Sequence, residues 1–361
     1  RAVLPRVLMV SSNGAGMGHL TRLLAYATRL EGRADVSFLS LSQAVPLVGR
    51  LGFAFEYLPS AAATGMPTAR WRELFRERTV ETLRRVRPDV VVFDGTVPYA
   101  PVPAVRDAAP GPRWVWSRRG MWREGANAEV LERAAWFDAV LEPGDLAGEG
   151  DRGVTAGAPA HRVGPVTLLD PGDLDDRDAA REALGLPAEG PLALLTLGAG
   201  AINDVTSDVG AATAALEALG VGVCLPRNEL GADVVPRAGV HQVRAFPLSR
   251  HLAAFDVAVS AAGYNSFHEL LRFGVPTLFV PNAATALDDQ AGRAAYAAGR
   301  GWAHTVPHVD AGTAGPLLAD LLERGREMVA EVRAHDPGNG AAAAADLVAG
   351  LAGAGPAPAR E

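Results

Sequence analysis

The chain has 361 residues, of which 48% are hydrophobic, 6% aromatic and 21% charged, and its formal net charge is −7. This length indicates two domains of ordinary size, and the composition is that of a folded globular protein rather than a disordered or fibrous one. The negative charge argues against nucleic-acid binding, and the lack of a long apolar run or signal sequence predicts a cytoplasmic protein with no transmembrane segment.

Short apolar runs alternate with helical patterns along the first half of the chain. We predict strands at 7–11, 36–41, 53–58, 90–93, 114–116 and 139–141. Between the first two strands, Leu20, Leu23, Leu24 and Ala27 recur at the spacing of one helical face. This order of strand, helix and strand is typical of βαβ units, so the first half is expected to form a parallel sheet covered by helices.

The same alternation restarts in the second half of the chain, after a break at 163–178 that is rich in Gly, Pro and Asp. Strands are predicted at 192–197, 222–225, 240–244, 257–260 and 277–280. The sequence therefore predicts an α/β protein with two tandem Rossmann-like, doubly wound parallel-sheet domains, whose ligand binds in the cleft between them. The expected divisions are a first domain at 1–164, a linker at 165–178, a second domain at 179–337, and a closing helix with a tail at 338–361.

A glycine-rich segment, SSNGAGMGH at 11–19, lies between the first predicted strand and a helix. Gly16 and Gly18 would let the backbone pass close to a ligand, and the helix N-terminus favours negative charge. A dinucleotide site is an alternative for such a segment. However, the glycines at 14, 16 and 18 lack the dinucleotide spacing, and no acidic residue ends the second predicted strand to hold a ribose.

His19 ends this segment, where its side chain is expected to face the cleft. An imidazole titrates near neutral pH, so it can take the proton of an attacking hydroxyl. Asp94 follows the buried strand at 90–93, at the sheet edge where the His19 segment should lie, and its carboxylate would fix the imidazole tautomer. The alternatives are a capping histidine and an aspartate that caps a turn. We favour a dyad of base and carboxylate.

The second half carries the segment SAAGYNSFHEL at 260–270. Gly263 would permit a tight turn after a strand, and Asn265 and Ser266 would begin a helix whose free N–H groups can hold a diphosphate. Glu269 lies one turn further along the helix. Its carboxylate could accept hydrogen bonds from both ribose hydroxyls of a nucleotide, an arrangement that needs no metal.

A second pattern follows, with GVPTLFVP at 274–281 and then the pair Asp289 and Gln290. The side chains of this pair could bind sugar hydroxyls. The order GYNSFHE, Gly-x-Pro, Asp-Gln resembles the donor-binding signature of nucleotide-sugar-dependent glycosyltransferases of the two-domain GT-B type, including the plant natural-product enzymes. The glycine loop ending in His19 resembles that of the bacterial enzymes that complete lipid II and form related glycolipids. Together the two resemblances cover nearly the whole chain.

The resemblance implies a hexosyltransferase-like glycosyltransferase of natural-product or glycolipid biosynthesis, with an acceptor-binding first domain and a nucleotide-sugar-binding second domain. It implies His19 as catalytic base and Asp94 as its partner. The loop after the strand at 240–244 resembles the base-binding loop of these enzymes, although its Phe246 could equally be a core residue. The implied donor-binding residues are Gly16, Gly18, Phe246, Gly263, Tyr264, Asn265, Ser266, Glu269, Asp289 and Gln290.

Two positions depart from the family pattern. Ala261 stands where the plant signature has a phosphate-binding histidine, and Arg293 stands three residues after the glutamine, where family members usually carry Asn. Backbone N–H groups, or Arg293 itself, could replace the missing phosphate contact. On the acceptor side, Trp116, Arg119 and Trp122 could line a pocket for a planar, lipidic or anionic molecule, or they could be core aromatics with a solvated arginine.

The implied chemistry is transfer from a UDP- or TDP-sugar to a hydroxyl of a small molecule or lipid, with neither cofactor nor metal ion. The step is a one-step displacement or a front-face substitution at the anomeric carbon, and inversion is typical of the family with a histidine base. Asp173-Leu-Asp175 has the Asp-x-Asp spacing of metal-using transferases, but it lies in the predicted linker. Peripheral membrane contact is compatible with a lipid acceptor. The alternative functions are a GT-B-fold nucleotide-sugar epimerase, which needs no acceptor, and a non-catalytic nucleotide-sugar-binding protein.

Overall fold

The computed structural model describes residues 3–12, 17–126, 128–198, 205–227 and 239–353. The strands of the first half form one parallel sheet in the order β3-β2-β1-β4-β5-β6-β7. Its strands are β1 (Arg6–Ser11), β2 (Asp35–Ser40), β3 (Ala54–Tyr57), β4 (Val90–Asp94), β5 (Arg113–Ser117), β6 (Ala139–Gly144) and β7 (His161–Pro165).

The strands of the second half form another parallel sheet, in the order β10-β9-β8-β11-β12-β13. Its strands are β8 (Leu192–Thr196), β9 (Gly222–Pro226), β10 (Val240–Val243), β11 (Val257–Ser260), β12 (Thr277–Phe279) and β13 (His304–Thr305). The predicted architecture of two doubly wound parallel sheets is thereby confirmed.

Helices connect successive strands and cover the sheets. They are α1 (Gly18–Arg29), α2 (Pro46–Arg50), α3 (Ala61–Thr64), α4 (Thr68–Val86), α5 (Val102–Ala108), α6 (Arg177–Leu184), α7 (Val205–Ala218), α8 (Tyr264–Arg272), α9 (Gln290–Gly299), α10 (Ala311–His335) and α11 (Ala341–Gly353). The last helix contacts α1, β4 and β7, so the chain returns to the first sheet at its C-terminal end.

The apolar pattern of the sequence explains these elements. Every residue of β4 is buried, as expected for a central parallel strand with helices on both faces. On α1 the predicted face of Leu20, Leu23, Leu24 and Ala27 is buried in the core. No helix in the described ranges is both long and apolar enough to cross a bilayer.

Two strands were not predicted. β7 has the sequence HRVGP and lies at the edge of its sheet, where half-exposed residues leave little apolar pattern to recognise. β13 has only two residues and lies at the edge of the other sheet. The predicted linker at 165–178 falls between the end of β7 and the second residue of α6, and the predicted closing helix corresponds to α11.

Candidate active site

The first sheet reverses its strand order between β1 and β4, which is where doubly wound sheets bind ligands. Ser11 of β1 pairs in register with Asp94, the last residue of β4. The segment after β1 leads into α1, whose second residue is His19. The His19 and Asp94 side chains meet at this point, with Nδ1 of the imidazole 2.7 Å from Oδ1 of the carboxylate. The predicted pair therefore lies in contact, although its residues are far apart in sequence.

Asp94 is fully buried and accepts more hydrogen bonds than the one from His19. Arg22 donates to both of its oxygens, through Nε at 2.8 Å and Nη2 at 2.6 Å. The Ser117 hydroxyl donates to Oδ2 at 2.6 Å. Burial opposes the charged carboxylate, but the Arg22 charge and the hydrogen bonds outweigh it and hold the pKa of Asp94 well below its ordinary value. Asp94 is thus a permanent anion.

The contacts of His19 assign its tautomer. A proton must lie between Nδ1 and the ionised Asp94, so Nδ1–H donates and Nε2 carries the lone pair. Within the described ranges Nε2 has no hydrogen-bond partner. Burial is the main cause that lowers the pKa of His19; Asp94 opposes this effect, while the charges of Arg22 and Arg119 add to it. The imidazole is therefore neutral at pH 7 and can accept a proton.

The N-terminus of α8 lies at the corresponding edge of the second sheet, directly after β11. Gly263 caps the helix with φ −62° and ψ 151°, a conformation open to any residue, so the turn does not require glycine as the sequence suggested. Apart from Gln290 Nε2 at 3.8 Å, no atom of the described residues beyond the adjoining backbone lies within 4 Å of the place a Cβ would take. The first N–H that bonds within the helix is that of Phe267, which leaves the earlier ones free for a ligand.

The two predicted binding segments approach each other. The Asn265 side-chain amide donates to the Gly18 carbonyl at 3.5 Å, which joins the start of α8 to the start of α1. Among the described residues, no atom lies within 4 Å of a Cβ built on Gly18. Ser266 is partly exposed at the same helix end. Gly16 lies outside the described residues.

Tyr264 has a different environment from the other predicted donor ligands. It is buried, and its hydroxyl donates to the Gly144 carbonyl at 2.6 Å and accepts from the Val166 N–H at 3.0 Å. Both partners belong to the first half of the chain. The side chain therefore anchors α8 to the first sheet, and its hydroxyl is already used within the protein.

Phe246 belongs to the segment that follows β10, and Glu269 of α8 lies against Ser249 of the same segment. Burial raises the pKa of Glu269 to about 7, an effect that the Ser249 hydroxyl partly offsets. No cation of the described chain pairs with this carboxyl group. Phe246 is half-buried and packs against the core. Hydrogen bonds donated by a ligand would stabilise the charged form of this buried carboxyl group.

Asp289 and Gln290 start helix α9. Asp289 caps the helix by accepting the Gly292 N–H at 2.9 Å. The Gln290 carbonyl oxygen accepts the Asn282 N–H at 3.0 Å, and its amide nitrogen points toward Gly263. The cap hydrogen bond uses one Asp289 oxygen, so the other oxygen and the Gln290 amide are the groups that could meet a sugar.

Arg293 is completely buried and fully bonded within the protein. It donates to Asp145 at 2.8 Å, to the Ala262 carbonyl at 2.9 Å and to Asp288 at 3.0 Å. Asp145 lies in the loop after β6, so this arginine joins the two halves of the chain. A phosphate could bind Arg293 only by displacing these partners.

The three predicted acceptor residues lie in different environments. Trp116 is fully buried, stacks on Phe137 and donates its indole N–H to the Gly95 carbonyl at 2.8 Å. Trp122 is also buried, and its backbone pairs with Asp288 across the cleft. Arg119 is partly exposed, with guanidinium nitrogens 3.5 Å from Thr96 and 3.6 Å from Asp288. Of the three, Arg119 offers polar atoms to a ligand.

Among the residues that the structure describes, no three His, Cys, Asp or Glu side chains are grouped to hold a metal ion. Asp173 of the Asp-x-Asp segment accepts the Asp170 N–H at 2.8 Å, away from His19. Metal independence stays a prediction.

The proteins that this chain resembles in sequence and in fold are glycosyltransferases. The model of the glycosyltransferase family 28 C-terminal domain matches residues 231–313, which include α8 and α9. A UDP-N-acetylglucosamine--N-acetylmuramyl-(pentapeptide) pyrophosphoryl-undecaprenol N-acetylglucosamine transferase of Nocardioides sp. is 30% identical over 76% of this chain and 78% of its own. The Clavibacter sepedonicus protein of the same name is 29% identical over 93% and 94%. The crystal structure of the glycosyltransferase VinC with dTDP has the same fold, with a TM-score of 0.64 and 18% identity over 97% of this chain and 100% of VinC.

Proposed function

Because this chain belongs to glycosyltransferase family 28 and is a GT-B enzyme with a nucleotide-sugar donor, we propose that it glycosylates an acceptor hydroxyl from a UDP- or TDP-sugar. The reaction is a single inverting displacement that uses His19 as base and no metal ion. The observation that carries this proposal is the contact of His19 Nδ1 with the buried Asp94, which leaves Nε2 without a hydrogen-bond partner among the described residues. The start of α1, which carries His19, is joined to the start of α8 by the contact of Asn265 with Gly18.

The proton and the electron pairs can be followed through this displacement. The acceptor hydroxyl gives its proton to His19 Nε2 as its oxygen forms a bond to the anomeric carbon. The bond from that carbon to the diphosphate oxygen breaks, and its electron pair leaves with the nucleoside diphosphate. Attack on the face opposite the diphosphate inverts the anomeric centre. Asp94 keeps its hydrogen bond from Nδ1–H throughout, so the imidazolium forms beside a fixed anion.

The leaving diphosphate gains its stabilisation from the N-terminus of α8. The unpaired N–H groups there carry a partial positive charge, and they act on charge that grows as the sugar bond breaks. Ser266 adds a hydroxyl at this helix end. Ala261 has no polar side chain, and Arg293 is occupied by Asp145 and Asp288, so the backbone takes the place of the phosphate-binding histidine of related sequences.

The nucleoside is assigned to the space beside the Glu269 carboxyl group. The carboxylate accepts both ribose hydroxyls, and the backbone near Phe246 reads the base. Asp289 and Gln290 bind hydroxyls of the donor sugar from the start of α9. The names of the curated relatives specify UDP-N-acetylglucosamine, and VinC was crystallised with dTDP, so uracil and thymine are the bases to test first.

The acceptor is assigned to the first sheet, on the side of Arg119. The relatives are named for a pyrophosphoryl-undecaprenol acceptor, which is an anionic lipid. An arginine at this position suits an anionic acceptor group. The proposal includes a cytoplasmic enzyme that contacts a membrane surface when its acceptor is a lipid.

The first experiment is a thermal-shift titration with UDP, TDP, GDP, ADP and NAD, each with and without EDTA. A nucleotide that binds only the folded protein raises Tm, by an amount that follows its concentration relative to Kd. We expect UDP or TDP to raise Tm equally in both conditions. Stabilisation by NAD alone, or stabilisation that EDTA abolishes, would contradict the donor site proposed here.

A further inference from the structure

Arg22 lies one helical turn after His19 on α1 and does not belong to the sequence signature discussed above. Its guanidinium forms two parallel hydrogen bonds with Asp94, at 2.8 and 2.6 Å. Its Nη2 is also 3.2 Å from His19 Nδ1. The same cation therefore touches both members of the dyad. Only 2% of its side chain is exposed, so water screens these interactions weakly.

At this short distance the positive charge of Arg22 repels the imidazole of His19 when the imidazole is protonated. A guanidinium has only donors, and Nδ1 already uses its proton toward Asp94, so the 3.2 Å contact is no hydrogen bond in this tautomer. An unpaired Asp94 would strongly favour an imidazolium beside it. Here Arg22 pairs with the same carboxylate, so its charge offsets part of the attraction between Asp94 and the imidazole. It thereby adds to the effect of burial, which is the largest cause of the lowered His19 pKa.

Other groups around the dyad act in the same direction or are uncharged. Arg119, from the loop after β5, adds a second positive charge that disfavours the imidazolium. The Ser117 hydroxyl of β5 donates to Asp94, and the Tyr26 hydroxyl of α1 lies within hydrogen-bond distance of Ser117. Burial raises the pKa of Tyr26 far above its ordinary value, so its hydroxyl is uncharged. Across the cleft, the Tyr264 ring of α8 lies 5.3 Å from the Arg22 guanidinium and stays neutral for the same reason.

We propose that Arg22 is a positioning residue of the base: it fixes the Asp94 carboxylate against His19 Nδ1, and its charge keeps the imidazole neutral and ready to accept a proton. This inference rests on the proposed function for its catalytic meaning, but the effect on His19 is a property of the folded protein alone. A bidentate arginine holds both carboxylate oxygens in one plane, so it also sets the direction of the imidazole. The role differs from that of a stabilising ion pair, because it acts through the charge state of His19.

The test measures the His19 pKa by NMR titration of the imidazole signals, assigned by comparison with His19→Asn. Arg22→Gln is expected to raise the His19 pKa by about one unit or more, the size typical of a charge removed from within a few ångströms. Arg22→Lys keeps a charge but cannot hold both carboxylate oxygens, so its His19 pKa should stay within about half a unit of wild type. The matched control is Arg33→Gln, which removes an exposed arginine paired with Asp346.

The pH profile of kcat/KM gives the catalytic readout. In Arg22→Gln the acid limb should move to higher pH, so the ratio of activity at pH 6 to that at pH 9 falls below wild type, by at most about tenfold for a shift of one unit. A purely structural role would lower activity equally at every pH. An unchanged His19 pKa in Arg22→Gln, or an equal rise in Arg33→Gln, would overturn the proposal. If Arg22→Gln does not fold, a rise of one unit in Arg22→Lys would overturn it instead. Failure of the proposed function would appear separately, as no turnover in a wild-type protein whose His19 still titrates as expected.

Discussion

The Arg293 guanidinium donates to Asp145 across 2.8 Å and thereby ties the loop after β6 to helix α9. Asp288 accepts from the same guanidinium at 3.0 Å, and all three side chains are buried or nearly so. The family signature usually has a smaller amide at this position. In this chain the arginine holds together the two sides of the cleft, because one buried cation pairs with a carboxylate from each side. His268 also contacts Asp145, and Arg119 lies 3.6 Å from Asp288.

Removing this cation should destabilise the protein strongly. We expect Arg293→Met to lower the free energy of unfolding by about 3–5 kcal/mol, since two buried carboxylates lose their partner. Chemical denaturation measures the loss, and Arg326→Met, which removes an exposed arginine of α10, is the control with an expected change below about 0.5 kcal/mol. Equal stabilities of the two variants would show that the buried triad contributes nothing.

His19→Ala tests the base. Loss of a general base should lower kcat by about 10²–10⁴-fold, while the Tm increase caused by UDP or TDP stays close to that of wild type. The comparison variant is His308→Ala, because that imidazole is 85% exposed. Activity within a few-fold of wild type in His19→Ala would remove His19 from the mechanism.

Donor affinity should depend on pH through Glu269. Its raised pKa of about 7 means that the carboxyl is protonated in the free protein at lower pH. Ribose hydroxyls donate to the charged form, so bound donor favours ionisation, and the affinity falls as the pH drops below about 7. Calorimetric titration of UDP or TDP from pH 5.5 to 8.5 measures this, and Glu269→Gln should bind weakly at every pH. A flat profile in the wild type would place the ribose elsewhere.

Replacement by alanine should affect stability differently at two glycines. Gly263 has φ −62° and open space around it, so Gly263→Ala should change the free energy of unfolding by less than about 1 kcal/mol. Gly274 has φ +84°, and a Cβ there would lie 3.2 Å from Arg333 and Val329. Gly274→Ala should therefore destabilise the fold by about 1–3 kcal/mol. Thermal or chemical unfolding compares the pair.

The same Gly263 variant also reports on the ligand. If this glycine serves the close approach of a diphosphate to the helix N-terminus, the added methyl group weakens nucleotide binding in a stable protein. Unchanged binding of UDP and TDP by Gly263→Ala would show that the helix end does not hold the diphosphate.

The sequence determined the parallel-sheet architecture because buried strands and amphipathic helices leave local periodic patterns. It also placed His19 and Asp94 at one sheet edge, since residues that end neighbouring parallel strands must meet there. Edge strand β7 was missed because a half-exposed strand with a Gly-Pro step lacks that pattern. For Arg22, the available signal was a charged residue within the apolar face of α1, one turn after His19.

Only the tertiary structure decided which charges neutralise one another. Asp145 and Arg293 are distant in sequence, and nothing local in either segment indicates that the two side chains share a buried site. The same holds for Tyr264, whose hydroxyl bonds to Gly144 rather than facing a ligand. Periodicity reports the burial of a residue, but the pairing of buried polar groups depends on how distant loops come together. The charge state of His19 depends first on burial and then on the neighbouring charges of Asp94 and Arg22.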